Sequence, residues 1–224
     1  MTISSLTQLN ALTGGLFLLS TFGIIAMRQV LGCLKMFILQ SVFLAISALL
    51  LGYLHLSIHL FAVAAITLMV KPVLIPYLLR QTVGSEVTAR REISQLINIP
   101  TSLLIAVGLT ILSYFVAKPL LSVSGAAGTV TDVNLPIGIA CLLLGAYTVT
   151  VRREAMPQII GILTMENGAF FAGISIAPDL PLIAELSAAF DVLVIALVMG
   201  ILTRKIHERI GSTTVSDLKT LKEV

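Results

Sequence analysis

An all-α membrane protein of seven transmembrane helices is the fold class this sequence predicts, on three observations. The 224-residue chain is 57% hydrophobic and only 11% charged, whereas a soluble domain carries about a quarter of its residues charged. Apolar runs of about 20 residues, long enough to cross the hydrocarbon core as a helix, recur along the chain. Lys and Arg gather in alternate separators between those runs, as they do on the cytoplasmic side of a membrane.

Taken in order, the runs place helices at 6–27, 32–53, 57–79, 98–117, 134–151, 157–177 and 182–204. Arg28 and Lys35 follow the first run; Arg80, Arg90 and Arg91 follow the third; Arg152 and Arg153 follow the fifth. Arg204, Lys205, Arg209, Lys219 and Lys222 follow the seventh, and the separators on the other side hold only Lys118. This bias predicts an outside N-terminus and an inside C-terminus. No Lys or Arg precedes Arg28, so the first run is expected to stay as a span and not to leave as a signal peptide. The net charge of +3 is accounted for by these loops; the expected surround is the lipid bilayer, with no nucleic-acid partner. The chain reads as one membrane domain, 1–224, built as a three-helix unit (1–92), a bridging helix and loop (93–133), and a second three-helix unit with a cytoplasmic tail (134–224). A shift of 125 residues lays Arg28 on Arg153 and Gln40-Ser41 near Met165-Glu166, so helices one to three align with five to seven as a candidate repeat.

Three ionisable residues fall near the middle of apolar runs, where a charge without a partner or water costs at least a few kcal/mol. Lys71 precedes Arg80 by roughly 13 Å of helix and is followed by Pro72 and Pro76; each proline removes a helix hydrogen bond and frees carbonyl groups. Glu166 sits mid-run in Met165-Glu166-Asn167-Gly168, and Asp191 sits mid-run in the seventh helix. The Pro178-Asp179-Leu180-Pro181 turn makes those two helices antiparallel neighbours, with their acids at similar depth. Removal from water favours the neutral form of an amine and of a carboxyl alike, which brings both towards the range where protons are exchanged. Glu166, Asp191 and Lys71 are therefore the candidates for a proton relay, with the Asn167 amide as an auxiliary. Fixed pairing of Lys71 with either acid is the structural alternative. Glu185, Lys35 and the Arg152-Arg153 pair are further auxiliary candidates; their plainer readings are an interfacial carboxylate, a snorkelling lysine and topology anchors. His55 and His59 lack further ligands in the sequence and read as interfacial. Cys33 and Cys141, with no CxxC or Cys/His spacing, read as packing residues. No nucleotide loop, nucleophile–base constellation, haem pair or iron–sulfur cysteine set is present, so no catalytic, cofactor or metal residue is assigned.

The Arg pair, the three-helix layout after it, an acid in the second of those helices and Ala188-Ala189-Phe190-Asp191 in the third resemble the K subunit of respiratory complex I and its counterpart in multi-subunit sodium/proton antiporters. The tail Thr214-Val215-Ser216-Asp217-Leu218-Lys219 resembles the end of that subunit. The chain as a whole, with Lys71 beside Pro72 and the run Leu163-Thr164-Met165-Glu166-Asn167-Gly168, is similar to the hydrogenase-4 component E family, membrane subunits of group 4 hydrogenase and formate hydrogenlyase complexes. The resemblance implies a non-catalytic subunit in a prokaryotic cytoplasmic (inner) membrane. It implies antiporter-like partner subunits and a soluble hydrogenase-type arm holding the nickel–iron and iron–sulfur centres. It also implies a share in proton or sodium translocation. Carried over, the second acid of the K subunit falls on Asp191, an Asp in place of Glu. The first falls on Leu163, and Glu166 lies one helical turn later on nearly the same face. A purely structural docking subunit and a stand-alone secondary transporter are the rival classes.

Overall fold

A computed structural model describes residues 3–77, 93, 96–124 and 130–176, with 198, 201 and 205 as single positions. The seventh apolar run apart from residues 198 and 201, with Asp191, Glu185, the Pro-Asp-Leu-Pro turn, the Arg80–Arg91 linker and the tail motif, lies outside the described residues. Within them the chain is all-helical, with α1 Ile3–Ala26, α2 Val30–His55, α3 Ile58–Tyr77, α4 Ile99–Ser124, α5 Thr131–Val151 and α6 Ala155–Ile176. Six of these helices are long and apolar enough to cross a membrane. Each begins or ends within a few residues of the expected bounds except at the C-terminus of α4, which runs on through Pro119 to Ser124.

The helices pair in the order the short connections dictate. Arg28-Gln29 turns α1 into α2, and Arg152-Arg153-Glu154 turns α5 into α6. Leu56, the one non-glycine residue with positive φ (50°) among those described, ends α2 in a left-handed cap, where the Ser57 N–H donates to the Gly52 carbonyl. The third helix packs on α2, and α4 lies beside α5. The linker before α4 touches both hairpin turns: the Ile93 N–H donates to the Arg28 carbonyl (2.7 Å) and the Leu96 N–H to the Val151 carbonyl (3.1 Å). Arg28, Arg152 and Arg153 therefore lie at one end of the bundle.

The tightest seam is α5 against α6. Gly138 and Gly145 on one helix face Gly168 and Gly161 on the other. A Cβ on Gly138 would meet the Ala172 backbone nitrogen at 2.6 Å, and one on Gly145 the Met165 nitrogen at 2.6 Å. Small residues at this spacing let helix backbones touch, which is how helices associate where lipid is as apolar as a leucine side chain. The two hairpins then lie side by side over a core of Phe17, Leu44 and Phe171 at one level and Phe37, Met156, Ile160 and Leu163 at another. Large apolar side chains such as Leu104, Ile111 and Phe115 of α4 point outward, a surface that suits lipid and not water.

Candidate functional site

The site begins with a break in α3. After a regular Ile58–Met69, residues Val70–Leu74 widen into a π-helical turn, in which the Ile75 N–H reaches back five residues to the Val70 carbonyl. Pro72 lies in the middle of this turn. A proline ring collides with the carbonyl four residues earlier in a regular helix, and widening the turn moves that carbonyl away. The buried positions Thr67, Lys71 and Ile75 follow at steps of four. A regular helix would drift by about 40° at each such step, so the wide turn keeps Lys71 on the inner face.

Lys71 is 3% exposed. Its Nζ donates to Glu166 Oε2 at 2.5 Å and to Asn167 Oδ1 at 2.8 Å, and stands 5.0 Å from the centre of the Phe170 ring. Glu166 keeps 25% of its side chain exposed, so the carboxylate forms the open edge of the pair and the ammonium the buried side. Neighbouring glycines fix where these acceptors stand, because Gly161 and Gly168 seat α6 against α5 on either side of Met165-Glu166-Asn167.

Asn167 extends the pair inward. Its amide nitrogen donates to Gln40 Oε1 (3.1 Å) and to the Ser41 hydroxyl (3.2 Å) of α2. The Gln40 amide in turn donates to the Thr21 hydroxyl of α1 (2.7 Å), which reaches the Phe17 carbonyl and the Cys141 sulfur of α5 at 3.2 Å each. One hydrogen-bonded chain thus joins α3, α6, α2, α1 and α5. Only its outer end, Lys71 and Glu166, carries charge. The amides inside orient that charge and satisfy buried polar groups that would otherwise cost several kcal/mol each in hydrocarbon.

The structure treats the other expected residues unevenly. Lys71, Glu166 and Asn167 come together; Asp191 and Glu185 lie outside the described residues. Lys35, His55 and His59 are exposed near the helix ends. The arginine pair, expected to act alike, divides. Arg153 is exposed, whereas Arg152 is 3% exposed and its guanidinium donates to the carbonyls of Ile24 (3.2 Å), Ile25 (2.7 Å) and Met27 (2.9 Å), closing the C-terminus of α1. Burial holds its pKa below the ordinary guanidinium value, with Glu154 among the groups opposing that shift, and an arginine stays cationic regardless. Sequence reasoning missed the inner member Thr21, and met Gln40 and Ser41 only as the repeat counterparts of Met165-Glu166. The available signal was weak: small polar residues inside apolar runs.

Over 210 residues, 94% of each chain, the sequence is 31% identical to the uncharacterized protein Rv0085 of Mycobacterium tuberculosis. Over 119 residues it is 30% identical to hydrogenase-4 component E of Escherichia coli and of Shigella flexneri. That similarity covers 53% of this chain and 54% of each of those relatives, so it spans about half their length. No family model and no solved structure matches.

Proposed function

The chain belongs to the family of the Mycobacterium tuberculosis protein Rv0085, and we propose that it serves as a multi-pass membrane subunit of a hydrogenase-type complex. In this reading it carries seven spans with the N-terminus outside, in a prokaryotic cytoplasmic membrane, and residues 134–224 form a module like the complex I K subunit. Antiporter-like subunits flank it, and the redox centres belong to a soluble arm in partner subunits. Its own part is proton or sodium translocation through Lys71, Glu166 and Asp191.

A single observation carries this reading: an ammonium 3% exposed, set on a carboxylate and an amide between apolar helices. A buried pair of this kind at membrane depth marks an ion or proton path by default. The half-length similarity to hydrogenase-4 component E supports the kind of complex. The Glu166→Gln variant tests the role, because glutamine still accepts the Lys71 hydrogen bond but cannot hold a proton. The expected outcome is an intact complex with unchanged hydrogenase chemistry and ion translocation reduced several-fold. Unchanged translocation in an intact complex removes Glu166 from the path.

The Asn167 bonds favour a second reading, in which the cluster is interhelical glue. One side chain ties Lys71 of α3 and Gln40-Ser41 of α2 to α6. Glue predicts that Glu166→Gln loosens the complex, with translocation falling only in proportion to the complex lost.

A further inference from the structure

The interior between α1, α2, α5 and α6 is layered, and one layer has no part in the ion pair. Near the start of α1, the Asn10 amide donates to Asn134 Oδ1 of α5 (3.1 Å), and the Ser47 hydroxyl of α2 donates to Asn10 Oδ1 (2.7 Å). All three residues are buried, and Asn134 Nδ2 has no hydrogen-bond partner among the described residues. Asn10 is also part of the wall of a cavity of about 490 Å³, together with Thr7, Gln8, His55, Val130 and Val133. These residues lie at the start of α1 and α5 and the end of α2, the opposite end of the bundle from the arginine turns.

The second layer is apolar. Phe17 and Phe171 stack with ring centres 4.6 Å apart and planes 10° from parallel, and both are fully buried with Leu44. Gly14 separates the two layers: a Cβ placed on it would stand 3.3 Å from the Phe171 ring and 3.5 Å from Asn134 Oδ1. The third layer is the chain from Cys141 and Thr21 through Gln40 and Asn167 to Lys71. Along α1, Asn10 lies roughly 10 Å from Phe17, and Phe17 roughly 6 Å from Thr21.

An unpartnered buried amide on a side chain that accepts from Asn10 of the cavity wall is a place for water, which needs space and polar partners together. An apolar constriction between two polar layers excludes water until it parts. We propose that the cavity and the Asn10–Ser47–Asn134 layer form a water-filled access path from one membrane surface towards the Lys71–Glu166 pair, closed by the Phe17–Phe171 stack. The ligand is water and the proton it carries. The inference rests on the ion-pair reading above, and supplies the route by which that pair meets one side of the membrane.

The test uses thiol reactivity of the full chain in its native membranes, with Cys33→Ser so that Cys141, on the far side of the stack, is the native reporter. Ser47→Cys is a near-isosteric reporter in the asparagine layer. A membrane-impermeant methanethiosulfonate applied from the cavity side should modify Ser47→Cys at least tenfold faster than Cys141. Phe171→Ala should then raise the Cys141 rate at least tenfold; the milder Phe171→Leu replaces it if the alanine variant does not accumulate. Equal, slow reaction at both reporters overturns the water path, and an unchanged Cys141 rate after the stack is opened overturns the gate. Neither readout involves translocation, so failure here is distinct from failure of the Glu166→Gln test.

Discussion

The α5–α6 hairpin closes at backbone contact, and the α1–α2 hairpin does not. In the first of these, a Cβ on Gly138 would stand 2.8 Å from the Gly168 carbonyl oxygen and one on Gly145 2.8 Å from that of Gly161. In the other, a Cβ on Gly23 or Gly32 would meet the thioether sulfur of Met36 or Met27 at 2.7 or 2.9 Å, flexible groups that can turn aside. In a bilayer neither hairpin gains from exclusion of water, so contact distance and hydrogen bonds decide how it holds. The backbone-packed hairpin is a rigid frame that fixes Glu166 and Asn167. The side-chain-packed hairpin leaves the width in which Thr21, Gln40 and Ser41 reach across. The site lies where the two kinds of packing meet.

A single methyl group gives the sharpest break of that comparison. Gly168→Ala should lower stability by about 3 kcal/mol, the upper range for overpacking, because the added carbon meets backbone at Leu142 and Gly138. Gly23→Ala should change it by less than about 0.5 kcal/mol. Thermal unfolding in mild detergent reads both, and equal losses would erase the distinction between the hairpins. The next effect is at the seam the frame supports. Lys71→Met leaves Glu166 without its cation and should cost about 2 kcal/mol, below the range for a fully buried pair because Glu166 is partly exposed. Adding Glu166→Gln should recover most of that loss, and a double-mutant cycle with no coupling would show that the two residues do not act together. The smallest effect is at the turn. Arg152→Lys removes the guanidinium whose Nη2 serves the carbonyls of Ile24, Ile25 and Met27 and should cost about 1 kcal/mol. The same change at exposed Arg153 should be silent in that assay.

Much of the architecture was legible because its signals are local. Length of apolar run and placement of arginines marked six helices within a few residues, save for the C-terminal end of α4, and Lys71 and Glu166 stood out as charges in apolar surroundings. The inner half of the site was not legible for a physical reason. Thr21, Gln40 and Ser41 are ordinary residues in their own helices, and become a chain only when three helices bring them within hydrogen-bond reach. Arg152 and Arg153 are adjacent and chemically identical, so only the position of the α1 carbonyls could separate them. Pro72 advertised a disturbed helix, but whether the chain would kink or widen depended on what Lys71 and Ile75 found on the inner face.

The sequence by itself determined an all-helical, multi-pass membrane chain, because hydrophobic length and charge placement act one segment at a time. It also determined that Lys71 and Glu166 need partners, because burying a charge is costly in any fold. Only the tertiary structure decided that they are each other's partner, that Asn167 binds the pair to α2, and that Arg152 closes α1. Those outcomes depend on which helix faces meet, and that is set by the in-register glycines of α5 and α6 together with the side-chain volumes of α1 and α2.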